Sequence, residues 1–349
     1  MEFSAGQIAE LIQGELQGSE SITVNNLSKI DQGVPNTLSF LYNAEFANHL
    51  YTTDASVIIT SKGINLTQEL AADKAVIWVD DARMAFAQIL SVYKQQRQQS
   101  RKGIHPTAHI DESAKIGENV YIGPYVIVES NSTIGDNTFV YANTTIGENV
   151  QIGSDCLIYT NVSVYDDSVI GNDCILQSGA VIGGDGFGFQ PNQENNYTKI
   201  VHIGNVILED HVEIGANTTI DKATLGSTII RKGAKLDNLI QVGHNVEIGE
   251  NTVIAAQTGV AGSTIIGKNC MIGGQVGFAG HQKIADGVKI AAKTGVPKDL
   301  ESEGIFQGIP AMPIGDFRRS HVMYKNLPKL GSDIKELKKE LEELKSKNK

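Results

Sequence analysis

The sequence predicts a mainly β protein: a left-handed parallel β-helix at about 104–305, preceded by an α/β domain at 1–100 and followed by helices at 310–349. Three observations carry that expectation. First, stepping by six from Ile104 meets Ile110, Ile116, Ile122, Val128, Ile134, Val140, Ile146, Ile152, Ile158, Val164, Ile170, Leu176 and Ile182 without a miss. The frame resumes at Leu208, slips by four residues after Ile220, and runs from Ile230 to Val296. A period of six is neither the 3.6 of a helix nor the 2 of a flat strand. Second, four residues after most of these stands a small or β-branched partner, as at Ala108, Ala114, Val120, Val126, Ser132 and Thr138. Each hexad thus points one large and one small residue inward, which fits a triangular coil of three short strands. Third, Gly and Asn recur between hexads, as in Gly117-Glu118-Asn119 and Gly135-Asp136-Asn137, where corners need residues that tolerate φ > 0. Three hexads make one coil, so residues eighteen apart are vertical neighbours at about 4.8 Å.

The flanks lack hexads. At the N-terminus, Ser4 can cap a short helix carrying Ile8, Leu11 and Ile12, and Ala55 to Thr60 and Ala75 to Val79 read as buried strands. A helix from about Asp81 to Tyr93 follows, and the polar stretch Gln95 to Lys102 reads as a linker. Beyond Pro310 and Pro313 the pattern is helical, with Ile334, Leu337, Leu341 and Leu344 in the 3-4-3 spacing of a helix seam. That seam is too short for an independent coiled coil and reads as a docking helix.

Composition bounds the function. The formal net charge of −11 argues against a nucleic-acid partner. Residues 315–349 hold ten Lys or Arg against six Asp or Glu, so this tail is basic on an acidic protein. It is either a solvated helix face or a surface for an acidic partner. There is no apolar run of eighteen residues and no signal peptide at Met1-Glu2-Phe3, so no membrane span is expected and the expected location is cytoplasmic. Cys156, Cys174 and Cys270 fall at small inward positions and read as reduced core residues rather than disulfides or metal ligands.

Two interruptions break the register. Gly184 to His202 contains Gly184-Asp185-Gly186-Phe187-Gly188-Phe189, either a surface that closes over a ligand, with Asp185 and Phe187 as binding residues, or a packing loop. The slip near Leu225-Gly226-Ser227 leads into Asp237-Asn238-Leu239-Ile240-Gln241-Val242-Gly243-His244-Asn245. A lone histidine at a corner is usually a surface residue. Here Gly262 lies eighteen residues on, with no side chain to obstruct a substrate, and Gly280-His281 another eighteen on. The His281 rung is atypical, with bulky Phe278 and Gln282 at its inward positions. The constellation suits acyl transfer: His244 takes a proton near neutrality, a carboxylate such as Asp237 fixes its tautomer, and a backbone N–H beside a glycine stabilises an oxyanion. Two histidines 37 residues apart with no third ligand nearby do not make a zinc site within one chain, so no metal is expected.

Taken together and in order, Gly184-Asp185-Gly186-Phe187-Gly188-Phe189, Asp237-Asn238, Gln241-Val242-Gly243-His244-Asn245, Gly280-His281 and Gly308-Ile309-Pro310 resemble one family. With Leu38-Ser39-Phe40-Leu41-Tyr42-Asn43, they look like the UDP-3-O-(3-hydroxyacyl)glucosamine N-acyltransferases of lipid A biosynthesis. The resemblance implies a cytoplasmic homotrimer that moves a 3-hydroxyacyl chain from acyl carrier protein to the 2-amino group of a UDP-sugar. It has no resident cofactor, because the chain arrives on the carrier's phosphopantetheine. It places the general base on His244, a second active-site histidine on His281, supporting residues on Asp237 and Asn238, and the oxyanion amide on Gly262. Uracil stacking and hydrogen bonding fall on Phe40, Asn43 and Phe46, where position 46 is commonly Tyr in the family. Lys298 stands where an Arg is familiar and keeps the charge without the fork. Acyl carrier protein is acidic, so the resemblance makes Arg318, Arg319, Lys325 and Lys329 candidates for its docking surface. The rival readings are an O-acyltransferase of the same pathway, disfavoured by the separate N-terminal domain, and a scaffold solenoid, disfavoured by the register breaks and paired histidines.

Overall fold

A computed structural model describes residues 2–64, 69, 71–99, 101–194, 196–308 and 313–347, with the side chains of 94–99 and 347 left out. The chain forms two compact units, 1–102 and 103–349.

The first unit is a five-stranded sheet, ordered Glu15–Gln17, Ala75–Val79, Val57–Ser61, Thr37–Leu41 and Asn26–Leu27. Helix α1 (Ala5–Leu11) starts at Ser4, whose hydroxyl accepts from Gln7 N while the Gln7 side chain accepts from Ser4 N. Such a reciprocal cap satisfies two otherwise orphaned amides. Helix α2 (His49–Thr52) is one turn, and α3 (Ala82–Gln99) packs Ala82, Ala85 and Ile89 against Val57, Ile59 and Ile77. The predicted linker is shorter than expected because α3 runs on to Gln99: Gln and Arg are good helix formers, and no Gly or Pro stops the helix.

The second unit is the predicted prism. Its strands stack into three parallel sheets of nine, eleven and ten, and the large and small inward residues form one continuous core from Val120 to Val296. Register advances by eighteen, as in Ile122 on Val140 on Ile158, except where the loop intervenes (Ile170 on Leu208), at the slip (Leu208 on Ile230) and at the last coil, where Ile290 pairs with Phe306. The corners divide their labour differently from the expectation. The left-handed backbone falls on Asn119, Asn131, Asn137, Asn143 and Asn149, with φ between 56° and 59°. Gly117 is needed for close approach instead, since a Cβ there would lie 2.4 Å from Asp136 Oδ1.

The small inward residues also do more than fill space. Thr138, Thr144 and Cys156 donate to the carbonyls of Gly153, Tyr159 and Gly171, each fifteen residues on, at 3.0, 2.9 and 3.2 Å. Thr138 Oγ1 in turn accepts from Cys156 N at 3.1 Å. Thr, Ser and Cys are therefore the small residues that satisfy corner groups no strand can reach. Ser168, at the same position one coil before the loop, has an unpartnered Oγ among the described residues. At the C-terminus α4 (Ile314–Lys347) is a single helix that passes through Pro328, with Ile334, Leu337, Leu341 and Leu344 exposed. Ile309 and Pro310 lie outside the described residues.

Candidate active site

The two interruptions share one corner of the prism. Ile182 pairs with Ile220 and then Gly184 with Asp221 across a bulge. On the return, the N–H groups of Ile203, Gly204 and Asn205 donate to the carbonyls of Thr224, Ala223 and Gly226. The loop that closes at His202 therefore stacks on the slip, and His244 follows on the next coil, where Val242 pairs with Ile220. The loop contains a hairpin of Phe189–Pro191 and Tyr197–Lys199, with the exposed aromatics Phe187, Phe189 and Tyr197 set edge to edge. Asp185 is ion-paired to Lys199 and, at 3.1 Å, to Lys222, which hold its carboxyl below the usual range.

The tautomer of His244 follows from its neighbour. Asn245 Nδ2 donates to Leu225 O at 2.9 Å, and Asn245 Oδ1 accepts from Thr224 N at 3.0 Å. A carbonyl only accepts and an amide N–H only donates, so the Asn245 oxygen is the atom that meets His244 Nδ1 at 3.1 Å. His244 Nδ1 must carry the proton, which leaves a lone pair on Nε2. The four-residue slip supplies both atoms that pin Asn245. Asn245→Ala is expected to lower kcat about tenfold, the worth of one orienting hydrogen bond, while Asn245→Asp retains most activity. Steady-state turnover of the two variants checks this, and equal activity in both would remove Asn245 from the role.

Asp237 does not fix that tautomer within the chain. Its carboxylate accepts from Asn238 N at 2.8 Å and Ala256 N at 3.1 Å, and Asn238 Oδ1 accepts from Ala216 N at 2.7 Å. Asp237 and His244 follow consecutive strands, Lys235–Leu236 and Gln241–Val242, and so stand at adjacent corners. The carboxylate that senses His244 is Asp221, the residue after Ile220, where the register slips. Burial raises its pKa, opposed by a Gln241 hydrogen bond and by the nearby His244 and His202 rings.

The His244 ring lies over Gly262: a Cβ there would sit 2.6 Å from Nε2 and 2.8 Å from Cε1. The same glycine carries an uncommitted donor. At several other corners the second residue after the inward aliphatic has its N–H capped by an Asp or Asn one coil on. Glu118 is capped by Asp136 at 2.7 Å, Ser154 by Asn172 at 2.9 Å and Lys268 by Asp286 at 2.7 Å. The residue that would cap Gly262 is Gly280, which has no side chain. Ala261 N and Ser263 N on either side are spent on Phe278 O and His244 O, so the Gly262 N–H has no acceptor among the described residues. A free amide beside a free imidazole lone pair is what acyl transfer requires.

His281 stands past Gly280 at φ 61°, donates its N–H to Gly262 O at 3.0 Å, and borders an open groove with Pro297, Lys298 and Glu301. Phe278 and Gln282 fill the inward positions of this rung, as expected, and neither amide atom of Gln282 has a partner among the described residues. The ring packed on His244 is that of His202, centroids 5.2 Å apart. No hexad pattern flags His202; the only signal was that the excursion ends on it.

A family model described as UDP-3-O-(3-hydroxymyristoyl) glucosamine N-acyltransferase matches residues 21–92, and hexapeptide-transferase models match 113–148, 149–184, 227–262 and 263–292. A UDP-3-O-acylglucosamine N-acyltransferase of Christiangramia forsetii is 54% identical over 98% of this chain and 99% of its own. The chain belongs to that family. The UDP-3-O-acylglucosamine N-acyltransferase of Bacteroides thetaiotaomicron is likewise 54% identical, over 99% of both chains. Among solved structures, an Arabidopsis UDP-N-acetylglucosamine acyltransferase superposes with TM-score 0.53 at 20% identity, over 62% of this chain and 77% of its own. At that identity the likeness concerns the β-helix fold alone.

In the first unit, where the family model matches, Phe40 stacks on Phe86 at 4.2 Å and lies 5.9 Å from Tyr42. Arg83 sits over the Tyr42 ring at 4.0 Å, and Phe46 is half exposed beside His49. Asn43 caps the short turn Ala44–Phe46, its Oδ1 accepting from Glu45 N at 3.1 Å. Tyr42 and Arg83 are the aromatic and cationic surfaces that sequence reasoning had not singled out.

Proposed function

We propose that the chain transfers a 3-hydroxyacyl group from an acyl carrier protein thioester to the 2-amino group of UDP-3-O-acylglucosamine, in lipid A biosynthesis. The observation that carries the reading is the pairing of the free Nε2 of His244 with the uncapped N–H of Gly262. His244 takes a proton from the amine as its nitrogen attacks the thioester carbonyl, and Gly262 N–H stabilises the oxyanion. Collapse breaks the C–S bond, and the proton passes from His244 to sulfur. Phe40, Asn43 and Phe46, with Tyr42 and Arg83, hold the uridine; Asp185, Phe187 and Lys298 contact the rest of the substrates. His281, Asp237 and Asn238 support the site, and the enzyme works as a cytoplasmic homotrimer with no resident cofactor. No helix among the described residues is long and apolar enough to cross a membrane.

The test offers purified protein an acyl carrier thioester with either UDP-3-O-acylglucosamine or UDP-N-acetylglucosamine. Acylation of the first acceptor's amine is expected, and acylation of the second acceptor's hydroxyl instead would assign an O-acyltransferase. The carrier docks on α4, where Arg318, Arg319, Lys325 and Lys329 are exposed. Replacing the four by Ala is expected to raise the carrier's KM at least about tenfold at low salt, with the UDP-sugar KM unchanged. A carrier KM equal to that of the unaltered enzyme would move the docking surface elsewhere.

A further inference from the structure

His202 is 2% exposed, and its two ring nitrogens are used unequally. Nδ1 lies 3.0 Å from Ile200 O, and since a carbonyl only accepts, Nδ1 carries the proton. Nε2 is then a lone-pair acceptor, buried and without a donor among the described residues. Leaving such a nitrogen unpaired is a desolvation cost that an apolar ring at this position would avoid. The loop is shaped around it. A Cβ at Gly188 would lie 2.7 Å from His202 Cε1, and a Cβ at Gly186 would lie 2.9 Å from both His202 Nε2 and His244 Cβ. The unpaired nitrogen is therefore on the side of the ring that meets His244, whose ring crosses it at 60°. The other charged groups around the pair are Asp221 on the slip and Asp185, already committed to Lys199 and Lys222.

We propose that His202 is a positioning residue for the acyl transfer: its unpaired Nε2 faces the His244 imidazole and stabilises the imidazolium that forms when His244 takes the amine proton. The inference rests on the reading of His244 as the base. Neutral His202 contributes no proton and takes none. Its lone pair is set in place before the reaction, so favouring the charged ring costs no reorganisation when the proton arrives. Asp221 acts from the other interruption in the same sense. The loop and the slip thus converge on one imidazole, the first through His202 and the second through Asn245 and Asp221.

The test is the pH dependence of kcat/KM for the full-length enzyme, His202→Phe and His202→Gln. Phenylalanine keeps an aromatic wall but has no lone pair; glutamine keeps an acceptor oxygen. Without the lone pair the imidazolium is less stable and His244 protonates at lower pH. His202→Phe is therefore expected to move the acid limb down by about one pH unit and lower the plateau about tenfold, with both KM values within about twofold. His202→Gln is expected to keep the limb where the unaltered enzyme has it. A lower plateau with an unmoved limb in His202→Phe would make His202 a wall only and overturn the proposal, as would an equal displacement in both variants. His244→Ala separates the two levels: if it retains turnover, the base assignment itself falls. If it is inactive while the limb of His202→Phe stays put, only the present proposal does.

Discussion

His244→Ala lowers kcat by a factor of at least about 10², the low end of what a general base contributes. The expectation rests on a count of lone pairs. Among the groups around the Gly262 amide, His202 Nε2 is sealed from solvent, Asp185 is held by two lysines, and Asn245 is consumed by three hydrogen bonds. His244 Nε2 combines a free lone pair with a half-exposed position directly over the Gly262 amide. Residual activity comes from the Gly262 donor and from substrate binding, which the variant leaves intact. Removing a half-buried ring that rests on a glycine opens no core cavity, so Tm stays within about 2 °C of the parent. Turnover at saturating concentrations of both substrates, read beside a melting curve, checks both halves. Near-parental kcat would take the base role from His244.

The second large effect comes from adding an interaction. Ala261→Gly combined with Gly280→Asn is expected to lower kcat by about 10²–10³, the loss of one oxyanion donor, with stability unchanged or raised. Both substitutions are needed, and other corners say why. Wherever an Asp or Asn one coil on caps the corner amide, the preceding residue is glycine, because a Cβ at Gly147, Gly153 or Gly267 would fall 2.3–2.6 Å from the capping oxygen. At the active site the pair is exchanged: Ala261 precedes the amide, and Gly280 stands where the cap would be. Room exists for the new side chain, since a Cβ at Gly280 meets only Gly262 O at 3.2 Å and Ala261 Cβ at 4.0 Å. Ala261→Gly alone is the control and stays near parental activity. If the double variant melts as the parent does and still turns over normally, the Gly262 N–H is not the oxyanion donor.

Much of this was legible in the sequence because a solenoid writes its geometry along the chain. Hexads gave the prism, and counting by eighteen brought His244, Gly262 and Gly280 into one column before any coordinate. The same arithmetic sets Asp237 apart from that column. It stands one residue past an inward leucine and His244 two past the next inward valine, which separates them by one strand and one corner. What no period encodes is where an excursion returns. His202 meets His244 because twenty residues leave the register and re-enter at Asn205, and nothing in the local pattern fixes which side chain then faces inward. Asn245 is a similar case. It looks like every other corner asparagine, with φ 59°, and its different duty comes from the carbonyl and amide that the slip pushes towards it.

The unpartnered Ser168 hydroxyl marks what the two excursions do to the stack as a whole. In a prism each coil touches only the coil before and the coil after, so the energetics reduce to a row of nearest-neighbour contacts. An insertion at one corner breaks the ladder of small-residue hydrogen bonds at a single rung, while the other two faces stay in register, as Leu176 on Ile214 does. The corner that holds His244 is therefore a dislocation in a one-dimensional crystal. Its irregularity is confined to one edge and two successive coils, and the lattice on both sides carries on as if the defect were absent. Such a scaffold can take up a costly, partly unsatisfied cluster of side chains without passing the strain to the rest of the molecule.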